Sequence, residues 1–300
     1  MDSSAQKVWQ TVVIGGGIVG ICSALALQQR GIDVLLFDPL DERARASYGN
    51  AGVVSCGSIF PIAGPQILGR SLGYLMGRDP SVRIRKRSLL ASLPWARSFL
   101  DHCNVTSRNA AANQLVPFTR SAWPAHEALA QLVGTQALLR HTGWIRLYRD
   151  DAAWHAAARE RGLLKNYGVA LTDLTAAQLR EIEPALSHRY AAGSMIDDAG
   201  AVRSPDALLR ACYQFFSANG GVIQRGSCRE LKPTGNTISV LGEGVSSGQS
   251  AIKAQTVVIA AGAWSGAVLK PLSAQLSIRL PLAAERGYHQ HMVQIADGPL

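Results

Sequence analysis

Residues 11–38 read TVVIGGGIVGICSALALQQRGIDVLLFD. Thr11 to Ile14 is a β-branched run that ends at glycine, the pattern of a short buried strand and its turn. Ile18, Ile21 and Leu25 recur at helical spacing, which predicts a helix to Arg30. Gly31 follows at the position where a helix end wants a left-handed backbone. Ile32, Val34 and Leu36 then alternate as a second strand that stops at Asp38-Pro39. Gly15, Gly17 and Gly20 occupy the glycine positions of GxGxxG, after a strand and at the opening of a helix. Gly15 permits the tight turn, Gly17 lets backbone approach a pyrophosphate, and Gly20 lets the helix pack near the sheet. The span Gly15, Gly16, Gly17, Ile18, Val19, Gly20 is therefore a candidate phosphate cradle, with free N–H groups and a partial positive charge at the helix start. Asp38 stands 23 residues after Gly15, where a carboxylate can accept from ribose hydroxyls and repel a further phosphate. The unit is a dinucleotide site, and this fingerprint alone does not separate FAD from NAD.

Outward from that unit, residues 41–66 are charged and then rich in Gly, Ser and Pro, an extended loop. Residues 67–77 and 88–103 suggest short helices, the second disturbed by Pro94, and 108–133 a helical region interrupted at Pro117 and Pro124. Thr142 to Arg149 alternates as a strand, and 152–167 is an Ala-rich helix stopped by Gly168. Thr175 and Gln178 have capping-box spacing. The helix 205–219 is well marked, with Ser204 as N-cap, Pro205 in the first position and Gly220 beyond the end. Strands are expected at 222–231, 237–241, 250–254 and 256–260, the last an apolar run typical of a strand covered on both faces. Leu276, Ile278, Leu280 and Leu282 alternate, as do residues from Arg286 onward, and both read as strands. The order fits an α/β nucleotide-binding domain, 1–80 and 195–272, interrupted by a second domain, 81–194 and 273–300.

The chain has 300 residues, 47% hydrophobic and 17% charged, enough to bury a large core. No apolar run is long enough to cross a bilayer, and the N-terminal apolar stretch is broken by glycines, so it reads as a strand rather than a targeting segment. Cys22, Cys56, Cys103, Cys212 and Cys228 form no CxxC pair, which points to reduced core thiols and a cytoplasmic setting. The net charge is +9, with one dense basic run, Arg83, Arg85, Lys86 and Arg87, and Arg78 nearby. A solvated basic face is the ordinary account of that run; the other is peripheral contact with an anionic membrane at the inner face of the plasma membrane. No motif points to nucleic acid.

Two further segments carry a resemblance. Ser47-Tyr48-Gly49-Asn50-Ala51-Gly52 follows the second strand, and Thr256 to Trp264 reads TVVIAAGAW, with Glu285-Arg286-Gly287-Tyr288 later. In this order they resemble the FAD-dependent D-amino-acid oxidase and dehydrogenase superfamily, the SYGNAG segment being most similar to the D-amino-acid dehydrogenase branch. The resemblance implies FAD as cofactor, a Rossmann-like FAD-binding domain with a mainly parallel sheet, and an α+β substrate domain with an antiparallel sheet. It implies cofactor contacts from Ser47, Asn50, Ala51 and Gly52, from the backbone of Ala261 and Gly262, and from the backbone of Cys228 toward the adenine. It implies oxidation of the Cα–N bond of an amino acid or secondary amine, with the hydride passing to the flavin. Arg286 and Tyr288 alternate onto one strand face and are candidates to hold a substrate carboxylate. The electron acceptor is open, a respiratory quinone among the candidates. A sarcosine- or glycine-oxidase-like enzyme and a non-catalytic FAD-binding remnant are the alternatives; an NAD-dependent dehydrogenase is disfavoured by SYGNAG and AAGAW.

Members of that superfamily run further at the C-terminus, so the resemblance reads this chain as C-terminally truncated at Leu300, with weak flavin binding expected. The GxSxG match at Gly244–Gly248 lies between short strands and reads as a hairpin loop, not a nucleophile elbow. His289 and His291 lack companion ligands, and no metal is expected.

Overall fold

The β-branched run that opens the βαβ unit forms strand β1, Val8–Ile14, whose last four residues are buried in this computed structural model. The structure describes residues 7–41, 45–67, 69, 89–244, 251–278, 280–282, 284 and 287–289. The helix Ile18–Gln28 follows β1, and Gly31, at φ 75°, turns the chain into β2, Val34–Asp38. All five residues of β2 are buried, as a continuous VLLF run requires when a strand is covered on both faces. The remaining strands are β3 (Val53–Ser55), β4 (Leu139–Arg140), β5 (Trp144–Tyr148), β6 (Leu171–Thr175), β7 (Ala192–Ile196), β8 (Ala199–Val202), β9 (Val222–Arg225), β10 (Ser227–Thr234), β11 (Thr237–Glu243) and β12 (Ile252–Ile259).

The described residues form two compact units, one from Met1–Gly52, Leu129–Leu139 and Val202–Gly298, the other from Val53–Ala128 and Arg140–Ala201. The first unit is built on a six-stranded sheet in the order β10-β11-β12-β1-β2-β9. β12, β1, β2 and β9 run parallel, and β10 and β11 add an antiparallel edge. Ile14 pairs with Phe37 on one side and with Ile259 on the other, so the strand order reverses at β1. In an open α/β sheet such a reversal opens a crevice at the carboxyl ends of the strands, where ligands bind. The sheet core joins Val12, Ile14, Leu35, Phe37, Leu231, Val240, Ile252 and Ala254 to Val268, Leu269 and Leu272. Each large side chain buried there contributes about 1.5–3 kcal/mol of transfer free energy. The helix Pro205–Ala218 packs beside Ile18–Gln28, and Gln28 Nε2 donates to the carbonyls of Phe216 and Asn219, both at 2.9 Å.

The second unit carries antiparallel pairings in two sheets. β3 pairs with β8 in a three-stranded sheet completed by β4, and β7 lies between β5 and β6 in another. Cys56, Ile59, Leu164, Val169, Ile196 and Ala199 form its core. The capping box at Thr175 is present: Gln178 N–H donates to Thr175 Oγ1 at 3.3 Å, and Gln178 Oε1 accepts from Thr175 N–H at 2.9 Å.

The α/β class stands, and several elements differ from expectation. Residues 250–254 and 256–260 belong to one strand, β12, because its register follows β1 continuously from Lys253 to Ile259. The TVVIA run is half-open: Val257 and Ile259 pack on the core, while Thr256 is exposed. The expected strand 222–231 divides at Gly226, whose N–H donates to the Asp38 carbonyl at 2.9 Å and turns the chain from β9 into β10. Leu276, Ile278, Leu280 and Leu282 form no strand; a short helix ends at Leu276, and all four are exposed. The loop 41–66 contains β3. Pro117 lies inside the helix Val105–Arg120, and the break comes at Ser121; Pro124 then sits in the first turn of Ala122–Val133, where no N–H is needed. Pro94 lies within the helix Leu89–Asp101. The Ala-rich stretch forms two helices that meet at Ala157. The basic run, residues 245–248 of the GxSxG match, most of 67–77, Arg286 and His291 lie outside the described residues. No helix among the described residues is long and apolar enough to cross a membrane.

Candidate functional site

The glycine turn sits at the carboxyl end of β1, at the strand reversal. Gly15 has φ 96°, its N–H donates to the Phe37 carbonyl at 2.9 Å, and a Cβ there would lie 2.6 Å from the Ala260 carbonyl oxygen. A side chain is therefore excluded twice, by backbone conformation and by the neighbouring turn. A Cβ on Gly20 would sit on the Gly15 carbonyl, so this glycine lets the helix close against the turn itself. Gly17 differs: its φ is −63°, and a Cβ there would meet nothing within 4 Å. The space beside it is open. The helix begins at Ile18 with no side-chain cap and no acidic residue in its first turn. Its first N–H groups thus have no side chain to satisfy them, and Val19 stands exposed beside them. An open cradle at an uncapped helix start is the form an anionic phosphate fits.

Asp38 closes the other side. It is buried, and both carboxylate oxygens are used. Oδ2 accepts from Gly16 N–H at 2.6 Å; Oδ1 accepts from Leu40 N–H at 2.7 Å and from Arg45 Nη2 at 2.9 Å. Leu40 holds φ 59°, a left-handed conformation that costs a branched residue on the order of 1–3 kcal/mol. Arg45 Nη2 also donates to the Tyr213 hydroxyl at 2.8 Å, and that hydroxyl donates to the Gly16 carbonyl at 2.8 Å. The guanidinium carbon lies 4.7 Å from the Tyr213 ring centroid.

The other predicted residues fall around this frame. Ala261 Cα would be 2.8 Å from a Cβ at Gly15, so the AAGAW turn lies against the glycine turn. Gly262, at φ 56°, has open space around it. Cys228 is two residues beyond Gly226, the residue bonded to the Asp38 carbonyl, and burial pushes its thiol up to about 11. In the SYGNAG segment, Asn50 Oδ1 accepts from Gly52 N–H at 2.7 Å, and Gly52 carbonyl accepts from Val202 N–H at 2.8 Å. A Cβ on Gly49 would enter the His289 ring, which meets Tyr48 edge-on with centroids 5.7 Å apart. A Cβ on Gly52 would meet the Val202 backbone carbonyl, so this glycine is also required by the protein's own packing. Ser47 is half-buried, and Asn50 and Ala51 are exposed. Tyr288 is 87% exposed in a stretch without strand pairing, and its expected companion Arg286 is outside the described residues.

Arg45 and Tyr213 were not singled out in the sequence. Tyr213 had one available signal: it follows Leu209 by four residues and precedes Phe216 by three, on the inner stripe of its helix, yet carries a hydroxyl that needs a partner. Arg45 had none, because its two partners, Asp38 seven positions before it and Tyr213 168 positions after it, meet it only through the fold.

A family model described as FAD dependent oxidoreductase matches residues 10–299. The chain is 33% identical over 298 residues to a D-amino-acid oxidase of Bradyrhizobium diazoefficiens, covering 96% of this chain and 67% of that protein. It is 27% identical over 286 residues to a D-amino acid dehydrogenase of Xylella fastidiosa, covering 93% of this chain and 63% of that protein. A crystal structure of glycine oxidase from Geobacillus kaustophilus superposes with TM-score 0.63 at 20% identity, over 91% of this chain and 59% of that one. L-amino acid deaminase from Proteus vulgaris follows at TM-score 0.57 and 18% identity, over 94% and 53%. These two likenesses are of fold. The chain spans about two-thirds or less of the length of the relatives it matches.

Proposed function

The chain belongs to the family of FAD-dependent oxidoreductases, and from that premise we propose that it oxidises the Cα–N bond of D-amino acids. The observation that carries the cofactor part is the uncapped helix start, with open space at Gly17 and a buried carboxylate at Asp38. The names of the relatives support the D-amino-acid part. On this reading the first unit holds the cofactor. Gly15 to Gly20 take the pyrophosphate on N–H groups and Asp38 takes the ribose. Ser47, Asn50, Ala51, Gly52, Cys228, Ala261 and Gly262 complete the cofactor contacts, and Arg286 and Tyr288 hold the substrate carboxylate. When bound, FAD supplies the acceptor for the hydride that leaves Cα. The nitrogen gives up a proton, and water converts the imino acid to a 2-oxo acid and ammonia. A carboxylate fork from arginine would fix Cα in place, which is the protein's share of the chemistry.

Purified protein should show flavin absorption in the blue, and should reduce an artificial dye with D-alanine but not with L-alanine. Hydrogen peroxide formed in air would assign oxygen as acceptor; dye reduction without peroxide would assign a dehydrogenase. Turnover confined to N-methylated amines or to L-amino acids would overturn the substrate proposal.

A further inference from the structure

The hydrogen bonds around Asp38 close on themselves. Gly16 N–H reaches Asp38 Oδ2, Arg45 reaches Asp38 Oδ1, the same Arg45 nitrogen reaches Tyr213, and Tyr213 returns to the Gly16 carbonyl. This ring ties three separate stretches together: the glycine turn with the end of β2, the segment after it, and the helix Pro205–Ala218. A carboxylate offers about four acceptor positions. Both on Oδ1 are taken, by Leu40 and Arg45, and one on Oδ2 is taken by Gly16. One position on Oδ2 is left.

We infer that Arg45 and Tyr213 are positioning residues that orient Asp38 so that its single open acceptor meets a ribose hydroxyl of the cofactor's adenosine. The inference rests on the FAD reading above.

Stability alone does not account for the arrangement. The Asp38–Arg45 side chains are about nine-tenths buried, at 9% and 10% exposure, and such a pair is weak evidence for stabilisation because desolvation offsets the attraction. Arg45 Nε is buried with no partner among the described residues, and an unmet buried donor is destabilising. Leu40 is held in a left-handed turn by the same carboxylate. Costs of this kind collect where a site must be held in one geometry. Without the ring, Asp38 could rotate about its side-chain bonds and present either oxygen; with it, the carboxylate plane is fixed from both ends.

The test compares ADP with 2′-deoxy-ADP as competitors of FAD, with flavin fluorescence as the signal, in the unmodified chain and in Tyr213→Phe, Arg45→Met and Arg45→Lys. A ribose hydroxyl on an oriented carboxylate is worth about tenfold, so the unmodified chain should prefer ADP by that factor. In Tyr213→Phe and Arg45→Met the preference should fall toward onefold and FAD binding should weaken about tenfold. Arg45→Lys should keep part of it. The cofactor-free melting temperature of Tyr213→Phe should stay within about 2 °C, since it loses only a hydroxyl. Variants that keep the ADP preference and bind FAD within twofold of the unmodified chain would overturn the inference while leaving FAD binding intact. Variants that merely melt early, with the preference kept, would overturn it too. If the unmodified chain binds neither FAD nor ADP, the FAD reading fails and the inference with it.

Discussion

At the scale of single residues, the three motif glycines separate into two kinds. Gly15 and Gly20 are required by the protein itself, because any side chain there would meet the Ala260 carbonyl or the Gly15 carbonyl. Gly17 is not: its φ of −63° suits any residue and its surroundings are open. Gly17→Val should therefore fold normally, melt within about 2 °C of the unmodified protein, and lose flavin, since its methyls would occupy the open space proposed for the pyrophosphate. Gly20→Ala should destabilise the cofactor-free fold by about 1–3 kcal/mol, in the range of overpacked sites. Urea unfolding and flavin content, measured together, separate the two. Stoichiometric flavin in well-folded Gly17→Val would reject the pyrophosphate assignment. The glycines and Asp38 were legible in the sequence because their spacing is local. Arg45 and Tyr213 were not, because a hydrogen bond between distant stretches leaves no periodic trace.

At the scale of elements, start and stop signals read well and strand alternation read poorly. Ser204 caps its helix by accepting from Ala207 N–H at 3.2 Å, and Thr175 forms its capping box, since caps are satisfied within a few residues of themselves. The alternation at 276–282 gave a false strand, because a strand exists only with a partner and a partner is not encoded locally. The helices Ile18–Gln28 and Pro205–Ala218 were both foreseen, and their packing adds a testable property. Burial pushes the Cys22 thiol up to about 11 and, with Cys22 close by, the Cys212 thiol up to about 12, from an ordinary value of 9.0. Below pH 9 the folded and unfolded chains both keep these protons, and nothing is lost. Above it only the unfolded chain ionises, so the stability from these thiols falls progressively between pH 9 and 12. The urea midpoint should drop between pH 8 and pH 10.5, and less steeply in a Cys22→Ala, Cys212→Ala double variant. Equal slopes in the two proteins would show that these thiols do not carry the effect. At pH 8, iodoacetamide should leave both thiols unmodified in the folded protein.

At the scale of the molecule, β1 and β2 come early and their sheet partners β12 and β9 come after the helix-rich stretch, so the chain returns late to its first sheet. The chain enters the second unit at Val53, where a three-residue strand pairs with Ala199–Ala201 inside what reads as plain loop. The first unit has a consequence for which ligands it recognises. Its organised features, the glycine turn, the uncapped helix start and the Asp38 ring, all suit the ADP half of a dinucleotide. Binding energy for the native state adds directly to stability, by about 2.7 kcal/mol when free ligand is 100 times its dissociation constant. For a unit of this size that corresponds to roughly 5–10 °C in melting temperature. FAD and ADP, each at such an excess, should both raise the transition, and riboflavin, which lacks the phosphates and the adenosine, should leave it in place. Differential scanning fluorimetry with these three ligands checks the point. A shift with riboflavin and none with ADP would mean that affinity resides in the flavin end, and that the turn at Gly15–Gly20 is not the anchoring site. A shift with ADP in the unmodified chain that disappears in Gly17→Val would locate the anchor at that turn without any need for turnover.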